Sequence, residues 1–153
     1  MEFKPVVFYI GNEEYGVDIN IVRGIEKVIP VVPMPNTNPI IRGIINLRGD
    51  IIPIISLRRK FGKEDRPYDD NTKFIIVKTE TLLVGIEVDA VGEIQNVEPQ
   101  NIFDIPKILD SDDTKYYDKV INKDGRLVVV LDINNIMKGN EFEELEETIS
   151  QMK

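Results

Sequence analysis

Short apolar runs separated by turn residues occupy most of the chain as far as Val130. Runs of this length that are rich in Val, Ile and Phe and that end at Gly, Pro, Asn or Asp are typical of β-strands. The sequence predicts strands or extended segments at 6–10, 15–19, 28–32, 51–55, 74–78, 82–88, 91–97, 120–121 and 127–131. Many short strands at this spacing favour a barrel or a sandwich over a parallel α/β sheet, so we expect an all-β fold with short helices.

Turn residues indicate how some of these strands connect. The segment 11–14, Gly-Asn-Glu-Glu, predicts a hairpin turn between the first two strands. Asp124-Gly125 predicts a tight turn between the last two strands, because this pair tolerates positive φ. Pro53 interrupts an apolar run, and we expect it at a sheet edge or a bulge because proline cannot donate a ladder hydrogen bond.

A helix is predicted at 40–47, where apolar residues recur at helical spacing. Asn38 is suited to the N-cap and Pro39 to the first helical position. Arg48 then follows the negative end of the helix dipole, and Gly49 stands where a left-handed cap is expected.

Two further helices are predicted, a short turn at 57–61 and an acidic tail at 140–153. The tail carries a narrow apolar stripe formed by Phe142, Leu145, Ile149 and Met152. Such a stripe usually packs on its own domain, and the alternative is a contact with a partner helix.

A length of 153 residues suits one globular domain that needs no disulfides to fold. The long polar segment at 62–73 is the predicted divide between two small barrels within residues 1–139. Residues 140–153 are assigned to the acidic helical tail.

The composition argues against an enzyme, because the chain contains neither histidine nor cysteine. These residues supply the commonest general base, the best nucleophile and the usual zinc ligands. One carboxylate cluster stands out, formed by Asp104, Asp110, Asp112, Asp113 and Asp118. It lacks the glycine and the terminal glutamate of a calcium-binding EF-hand, so a solvated loop is expected. We therefore expect no catalytic residues, no metal and no cofactor.

The charge and the N-terminal sequence indicate which classes of partner and which cellular location to expect. The chain has 19 Lys plus Arg against 27 Asp plus Glu, a formal net charge of -8, which opposes binding to a phosphate backbone. No basic leader precedes an apolar core at the N-terminus, and no apolar run reaches membrane-spanning length. We expect a cytoplasmic protein that neither binds nucleic acid nor inserts into a membrane.

Several separated motifs stand in a characteristic order along the chain. They are GNEEYGVDI at 11–19, GIINLRG at 43–49, IPIISL at 52–57, VGIEVDAV at 84–91 and GRLVVVLDI at 125–133. In this order the motifs resemble the CheW family, the bacterial chemotaxis coupling proteins, over roughly residues 3–137.

The resemblance implies two SH3-like five-stranded barrels packed together. It also implies a non-catalytic adaptor that joins the cytoplasmic tips of chemoreceptors to the histidine kinase CheA and that is recruited to membrane receptor arrays. A receptor helix is expected in the groove between the barrels. The regulatory domain of CheA is homologous, so edge-to-edge docking is expected, although the kinase-facing surface stays unassigned.

The resemblance assigns the receptor-binding groove to Arg48, Val22, Ile19, Gly43 and Ile44. The residues themselves leave a structural alternative open at most of these positions. Ile19 and Val22 also suit a core, Gly43 also suits close helix packing, and Arg48 also suits a helix end or a carboxylate partner.

One departure from the family pattern concerns the partner of Arg48. In many relatives a glutamate two residues after the position of Val22 can pair with the arginine. Gly24 stands at that position here, and Glu26 is the candidate substitute.

Two other functions remain open from the sequence. The first is a related scaffold in another chemosensory array, such as one that governs twitching motility or development. The second is a small-barrel enzyme that uses carboxylates, which requires two convergent acids with shifted pKa values in a concave site.

Overall fold

The computed structural model of the protein describes residues 3–35, 37–105, 116–137, 147–149 and 151. The described part consists mainly of strands, with a few short helical segments. The strands are β1 (Pro5–Ile10), β2 (Glu13–Asp18), β3 (Val22–Lys27), β4 (Ile41–Leu47), β5 (Asp50–Ser56), β6 (Lys73–Lys78), β7 (Leu83–Val88), β8 (Ala90–Ile94), β9 (Ile102–Asp104), β10 (Tyr117–Lys123) and β11 (Arg126–Leu131). The helices are α1 (Leu57–Lys60) and α2 (Ile133–Ile136).

The strands form two sheets. A six-stranded sheet has the order β8-β1-β2-β11-β10-β9, and a five-stranded sheet has the order β3-β6-β7-β5-β4. Most neighbours are antiparallel, and β2–β11 and β5–β7 are parallel pairs. The expected β-rich fold of two packed sheets with short helices is confirmed.

The chain crosses between the sheets from β2 to β3 and again from β7 to β8. The segment 62–73, which was the predicted divide, instead connects α1 to β6, and β5 and β6 belong to the same sheet. The polar character of this segment has another cause, because its charged side chains form ion pairs with the five-stranded sheet and with α1. The divide near 62–73 is therefore corrected to the two crossings.

The predicted helix at 40–47 is wrong, because Ile40 lies in a turn and residues 41–47 form strand β4, which pairs antiparallel with β5. Ile40, Ile41, Ile44 and Ile45 satisfy both a helical and an alternating pattern, and β-branched side chains favour the strand. Side-chain burial alternates along most of β4. The residues on either side of β4, Asn38 before it and Arg48 and Gly49 after it, belong to turns rather than to helix caps.

Asn38 closes a turn before β4, where its side-chain oxygen accepts a hydrogen bond from the backbone N–H of Ile40 at 3.1 Å. Arg48 and Gly49 form the two-residue turn between β4 and β5, with φ values of 51° and 94°. Two successive positive φ values are typical of a type I′ hairpin turn. The glycine was thus correctly predicted to be left-handed, but in a hairpin.

Strand β3 was missed by the sequence analysis, which placed an extended segment at 28–32 instead. The sequence of β3, Val-Arg-Gly-Ile-Glu-Lys, mixes charges and a glycine among few apolar residues, so its alternation of partly buried and exposed positions is weak in the sequence. In the segment 28–32, Val32 forms an isolated bridge to Ile44 of β4.

Pro53 lies in an interior strand rather than at a sheet edge, because β5 has β4 on one side and β7 on the other. It faces Ile44, whose backbone N–H and C=O bond to Val32 instead. Opposed residues of this kind exchange no hydrogen bonds, so the absent N–H of proline costs no bond to β4. The expectation of an edge position is wrong for this reason.

Other local predictions are confirmed. Helix α1 begins at Leu57, with Ser56 as its N-cap. Asp124 and Gly125 have φ values of 53° and 88° in the turn between β10 and β11. Of the predicted C-terminal helix, residues 147–149 and 151 are helical, and Ile149 is buried in the main core. The other stripe residues, Phe142, Leu145 and Met152, lie outside the described residues.

The core has three parts. The main core includes Phe8 and Val17 of the six-stranded sheet and Ile86 of the five-stranded sheet, so it binds the two sheets together. A second cluster includes Ile121 and Val128 of the six-stranded sheet. A third consists of buried residues of the five-stranded sheet: Ile45, Ile52, Ile54, Phe74 and Ile76.

Candidate protein-binding groove

Ile19 and Val22 lie at the first crossing between the sheets. Ile19 begins a short 3-10 turn, and its backbone N–H donates to the carbonyl oxygen of Lys4 at 3.0 Å, which ties it to the start of the six-stranded sheet. Val22 is the first residue of β3 and pairs with Val77 in the five-stranded sheet. Both side chains are half-buried and pack against the main core.

Ile44 reaches the same core from strand β4. Its backbone N–H and C=O bond to Val32 at 2.9 and 2.8 Å, and its half-buried side chain packs against the main core. Other partly buried apolar residues lie against this core as well: Ile21, Met34, Ile40 and Ile51. We call Ile19, Val22 and Ile44 the apolar triad, since the structure brings all three onto one core.

Gly43 has a packing role at its position in β4. Its φ is +150°, and a Cβ placed there would overlap the carbonyl oxygen of Val32 and lie 2.7 Å from its carbonyl carbon. Only glycine allows the backbone of Val32 to approach this closely. Gly43 thus allows a close backbone approach, but within a strand rather than between helices as the structural alternative expected, and its role in receptor binding stays a prediction.

Arg48 pairs with Glu26, the candidate substitute for the usual glutamate. The Nη2 of Arg48 lies 2.7 Å from Oε1 of Glu26, with side-chain exposures of 73% and 24%. Glu26 belongs to β3 and Arg48 to the β4–β5 turn, and β3 and β4 are the two outermost strands of their sheet. The five-stranded sheet therefore curls until its edges approach each other.

The Arg48–Glu26 pair is expected to contribute little to folding, because exposed ion pairs are worth about 0–1 kcal/mol. We expect Glu26→Gln to change the free energy of unfolding by less than about 1 kcal/mol. A double-mutant cycle with Arg48→Gln, measured by urea unfolding, isolates the pair. A coupling energy above about 2 kcal/mol would instead assign the pair a structural role.

An ionic network that was not predicted from the sequence holds the 62–73 segment in place. One centre of the network is Asp65, which binds Arg59 at 2.8 Å and Arg42 at 2.9 Å. Hydrogen bonds and charge from these arginines, with that from Arg59 first, hold the pKa of Asp65 below its usual value against the opposing effect of burial. Arg42 also pairs with Glu87 of β7 at 3.2 Å and donates to the hydroxyl of Tyr68 at 3.0 Å.

A second centre of the network is Asp89, between β7 and β8. It accepts hydrogen bonds from Nη2 of Arg58 at 2.7 Å and from the backbone N–H of Gly11 at 2.6 Å, and Arg66 lies 3.3 Å away. Burial raises the pKa of Asp89, but the bonds from Arg58 and Gly11 outweigh this effect and lower the pKa overall. The basic and acidic residues that lie close together along 58–69 were the available sequence signal.

The described residues hold no group of three or more His, Cys, Asp or Glu side chains arranged to bind a metal ion. Of the acidic cluster predicted to be a solvated loop, Asp110, Asp112 and Asp113 lie outside the described residues. None of the helices in the described part has the length and apolar character required to span a membrane.

Two packed β-sheets joined by a shared apolar core define a β-rich domain with few and short helices. The sequence profile of the CheW-like domain matches residues 4–141. The chain therefore belongs to the CheW-like family, as its motifs indicated.

Individual relatives support the assignment. The chain is 35% identical over 137 residues to the chemotaxis protein CheW of Klebsiella aerogenes. The aligned region covers 90% of this chain and 82% of that protein. It is 30% identical over 148 residues to the chemotaxis protein CheW of Treponema pallidum, with 94% and 87% covered. The crystal structure of the scaffolding protein TtCheW from Thermoanaerobacter tengcongensis superposes with a TM-score of 0.83 at 32% identity, covering 92% of this chain and 96% of that one.

Proposed function

We propose that the protein is a non-catalytic adaptor of bacterial chemotaxis that couples the cytoplasmic tips of chemoreceptors to the histidine kinase CheA. One surface holds a receptor tip, another holds the regulatory domain of the kinase, and the receptor conformation is transmitted through the assembly. The protein acts in the cytoplasm and is recruited to membrane receptor arrays by the receptor contact.

The apolar triad is the observation that carries the receptor-binding half of this proposal. Ile19 is hydrogen-bonded to Lys4 at the start of the six-stranded sheet, while Val22 and Ile44 belong to the five-stranded sheet, and all three half-buried side chains pack against the core between the sheets. Half-buried apolar side chains of this kind suit the apolar stripe of a helix in a groove. A receptor tip is helical, and a few such anchors supply most of the binding free energy at an interface.

The outer strands of the six-stranded sheet support the kinase-binding half of the proposal. Among the described strands, β8 and β9 end this sheet, and each carries an exposed apolar residue, Ile94 at 42% and Phe103 at 50%. An outer strand presents unpaired backbone groups that a strand of another domain can bind. A homologous regulatory domain with similar sheets is a suitable partner for such an edge.

Arg48→Glu is the substitution that tests the receptor contact. Arg48 is 73% exposed, so we expect the fold to be preserved, while the reversed charge weakens binding to a receptor-tip fragment by about tenfold. Binding to the CheA regulatory domain should stay within about twofold of wild type. Both affinities are measured by calorimetric titration.

Arg126→Glu provides the matched control for this experiment. Arg126 is also an exposed arginine paired with a glutamate, Glu14, at 2.9 Å, but it lies in the six-stranded sheet. It should leave receptor-tip binding near the wild-type value. If Arg48→Glu and Arg126→Glu bind the receptor tip equally well, Arg48 does not belong to the receptor site.

A further inference from the structure

Asp89 contacts both sheets, through its side chain and through its backbone. Its carboxylate is bound by Arg58 of α1, on the five-stranded sheet, and by the N–H of Gly11 in the β1–β2 turn, on the six-stranded sheet. Its own backbone N–H donates to the carbonyl oxygen of Tyr9 in β1 at 3.0 Å. The residue is only 8% exposed.

Neighbouring contacts join the same two parts of the molecule. Lys63, which follows α1, pairs with Glu13 of the β1–β2 hairpin at 2.9 Å. Phe61 stacks on Tyr15 of β2 with ring centroids 4.9 Å apart. The end of α1 and the β1–β2 hairpin are therefore clamped together, with the Asp89 carboxylate as the charged centre of the clamp.

Among the described strands, the chain passes between the sheets at two places, the β2–β3 crossing and the β7–β8 crossing. Ile19 and Val22 lie at the first crossing, and Asp89 lies at the second. Because the apolar triad draws on both sheets, any rotation of one sheet against the other changes the spacing of its members. A clamp at the second crossing limits that rotation.

We propose that Asp89 is a positioning residue that fixes the relative orientation of the two sheets and thereby the spacing of the apolar triad, which is the proposed receptor site. Two arginines, Arg58 and Arg66, bind the carboxylate of Asp89 from the side of the five-stranded sheet, and the N–H of Gly11 binds it from the side of the six-stranded sheet. A bidentate guanidinium holds a planar carboxylate in one orientation, which a single flexible cation does not. The consequence for receptor binding rests on the proposed function, whereas the orientation of the sheets does not.

The test measures the distance between spin labels on the two sheets by pulsed electron paramagnetic resonance. The chain has no cysteine, so Leu127→Cys in β11 and Lys27→Cys in β3 give two unique and exposed labelling sites. Asp89→Asn removes the charge while keeping the shape of the side chain. We expect the distance distribution of this variant to shift or broaden relative to the unsubstituted labelled protein.

Asp65→Asn is the matched control. Asp65 also pairs with two arginines, Arg42 and Arg59, but those contacts stay within the five-stranded sheet and its connections. The distance distribution of labelled Asp65→Asn should coincide with that of the labelled protein that retains Asp65. Arg58→Lys, which retains a charge but loses the bidentate contact, should change the distribution in the same direction as Asp89→Asn and by less.

Distances are recorded where circular dichroism shows each variant to be folded, so a loss of stability alone does not produce the expected result. An unchanged distribution in both Asp89→Asn and Arg58→Lys overturns the proposal, as does an equal change in Asp65→Asn. In a second experiment without labels, Asp89→Asn should weaken receptor-tip binding at least fivefold. A shifted distribution in a protein whose wild type binds no receptor tip would support the clamp and contradict the proposed function.

Discussion

Gly43→Ala is expected to destabilise the protein by about 3 to 4 kcal/mol, one of the largest effects of any single substitution. The added Cβ would overlap the carbonyl oxygen of Val32, and the backbone at Gly43 has a φ of +150° that alanine rarely adopts. The Val32–Ile44 bridge would have to open to relieve the overlap. Equilibrium unfolding in urea measures the loss.

Gly49→Ala separates the two causes of this loss. Gly49 also has a positive φ, +94°, but a Cβ placed there meets no atom within 4 Å. It should cost only about 1 kcal/mol, the penalty for a left-handed non-glycine residue. If Gly43→Ala costs no more than Gly49→Ala, the close approach of Val32 does not govern this position.

Asp89→Asn is expected to lower the free energy of unfolding at neutral pH by about 3 kcal/mol, the lower end of the range for breaking a buried ion pair. The substitution leaves the guanidinium of Arg58 without its carboxylate and replaces an acceptor of the Gly11 N–H by an amide. Arg66 also loses its partner at this site. Urea unfolding of the wild type and the variant at pH 7 gives the difference.

The difference in free energy of unfolding between the wild type and Asp89→Asn should become smaller in acid. The pKa of Asp89 is lowered in the folded protein, so the ionised carboxylate favours folding above its unfolded pKa, and this stabilisation is lost as the pH falls through the folded pKa. The gap between wild type and Asp89→Asn should therefore be constant from neutral pH down to about pH 5 and shrink below about pH 4. A gap that widens in acid would contradict the ion-pair account.

The β-rich class was predictable because most strands are apolar runs between turn residues, as in β1, β6, β7 and β11. The hairpin at Asp124-Gly125 was predictable because its conformation depends on two adjacent residues. Information of this local kind is present in the sequence itself.

The strand β4 and the strand β3 were not predictable from spacing. Four isoleucines at 40, 41, 44 and 45 fit a helix and a strand equally well, and pairing with β5 decides between them. Strand β3 contains mostly polar residues and forms because β6 supplies its backbone partners. Pairing with a neighbouring strand therefore decided the structure of both segments. It overrode the helical spacing in β4, and it stabilised β3, whose own sequence gives little indication of a strand.

The candidate site was only partly predictable for a similar reason. Glu26 was named as the substitute partner of Arg48, and the pair is present. The contact between Gly43 and Val32 and the role of Asp89 depend on residues far apart in sequence, up to 78 positions in the case of Gly11 and Asp89. Spacing along the chain carries no information about such contacts.

The central claim is that one molecule binds a receptor tip and the kinase regulatory domain at the same time. Labelled protein is saturated with the CheA regulatory domain, titrated with a receptor-tip fragment, and followed by analytical ultracentrifugation. The account predicts a ternary species heavier than either binary complex, with the kinase domain retained. Displacement of the kinase domain by the receptor tip, or binding of neither, would contradict it.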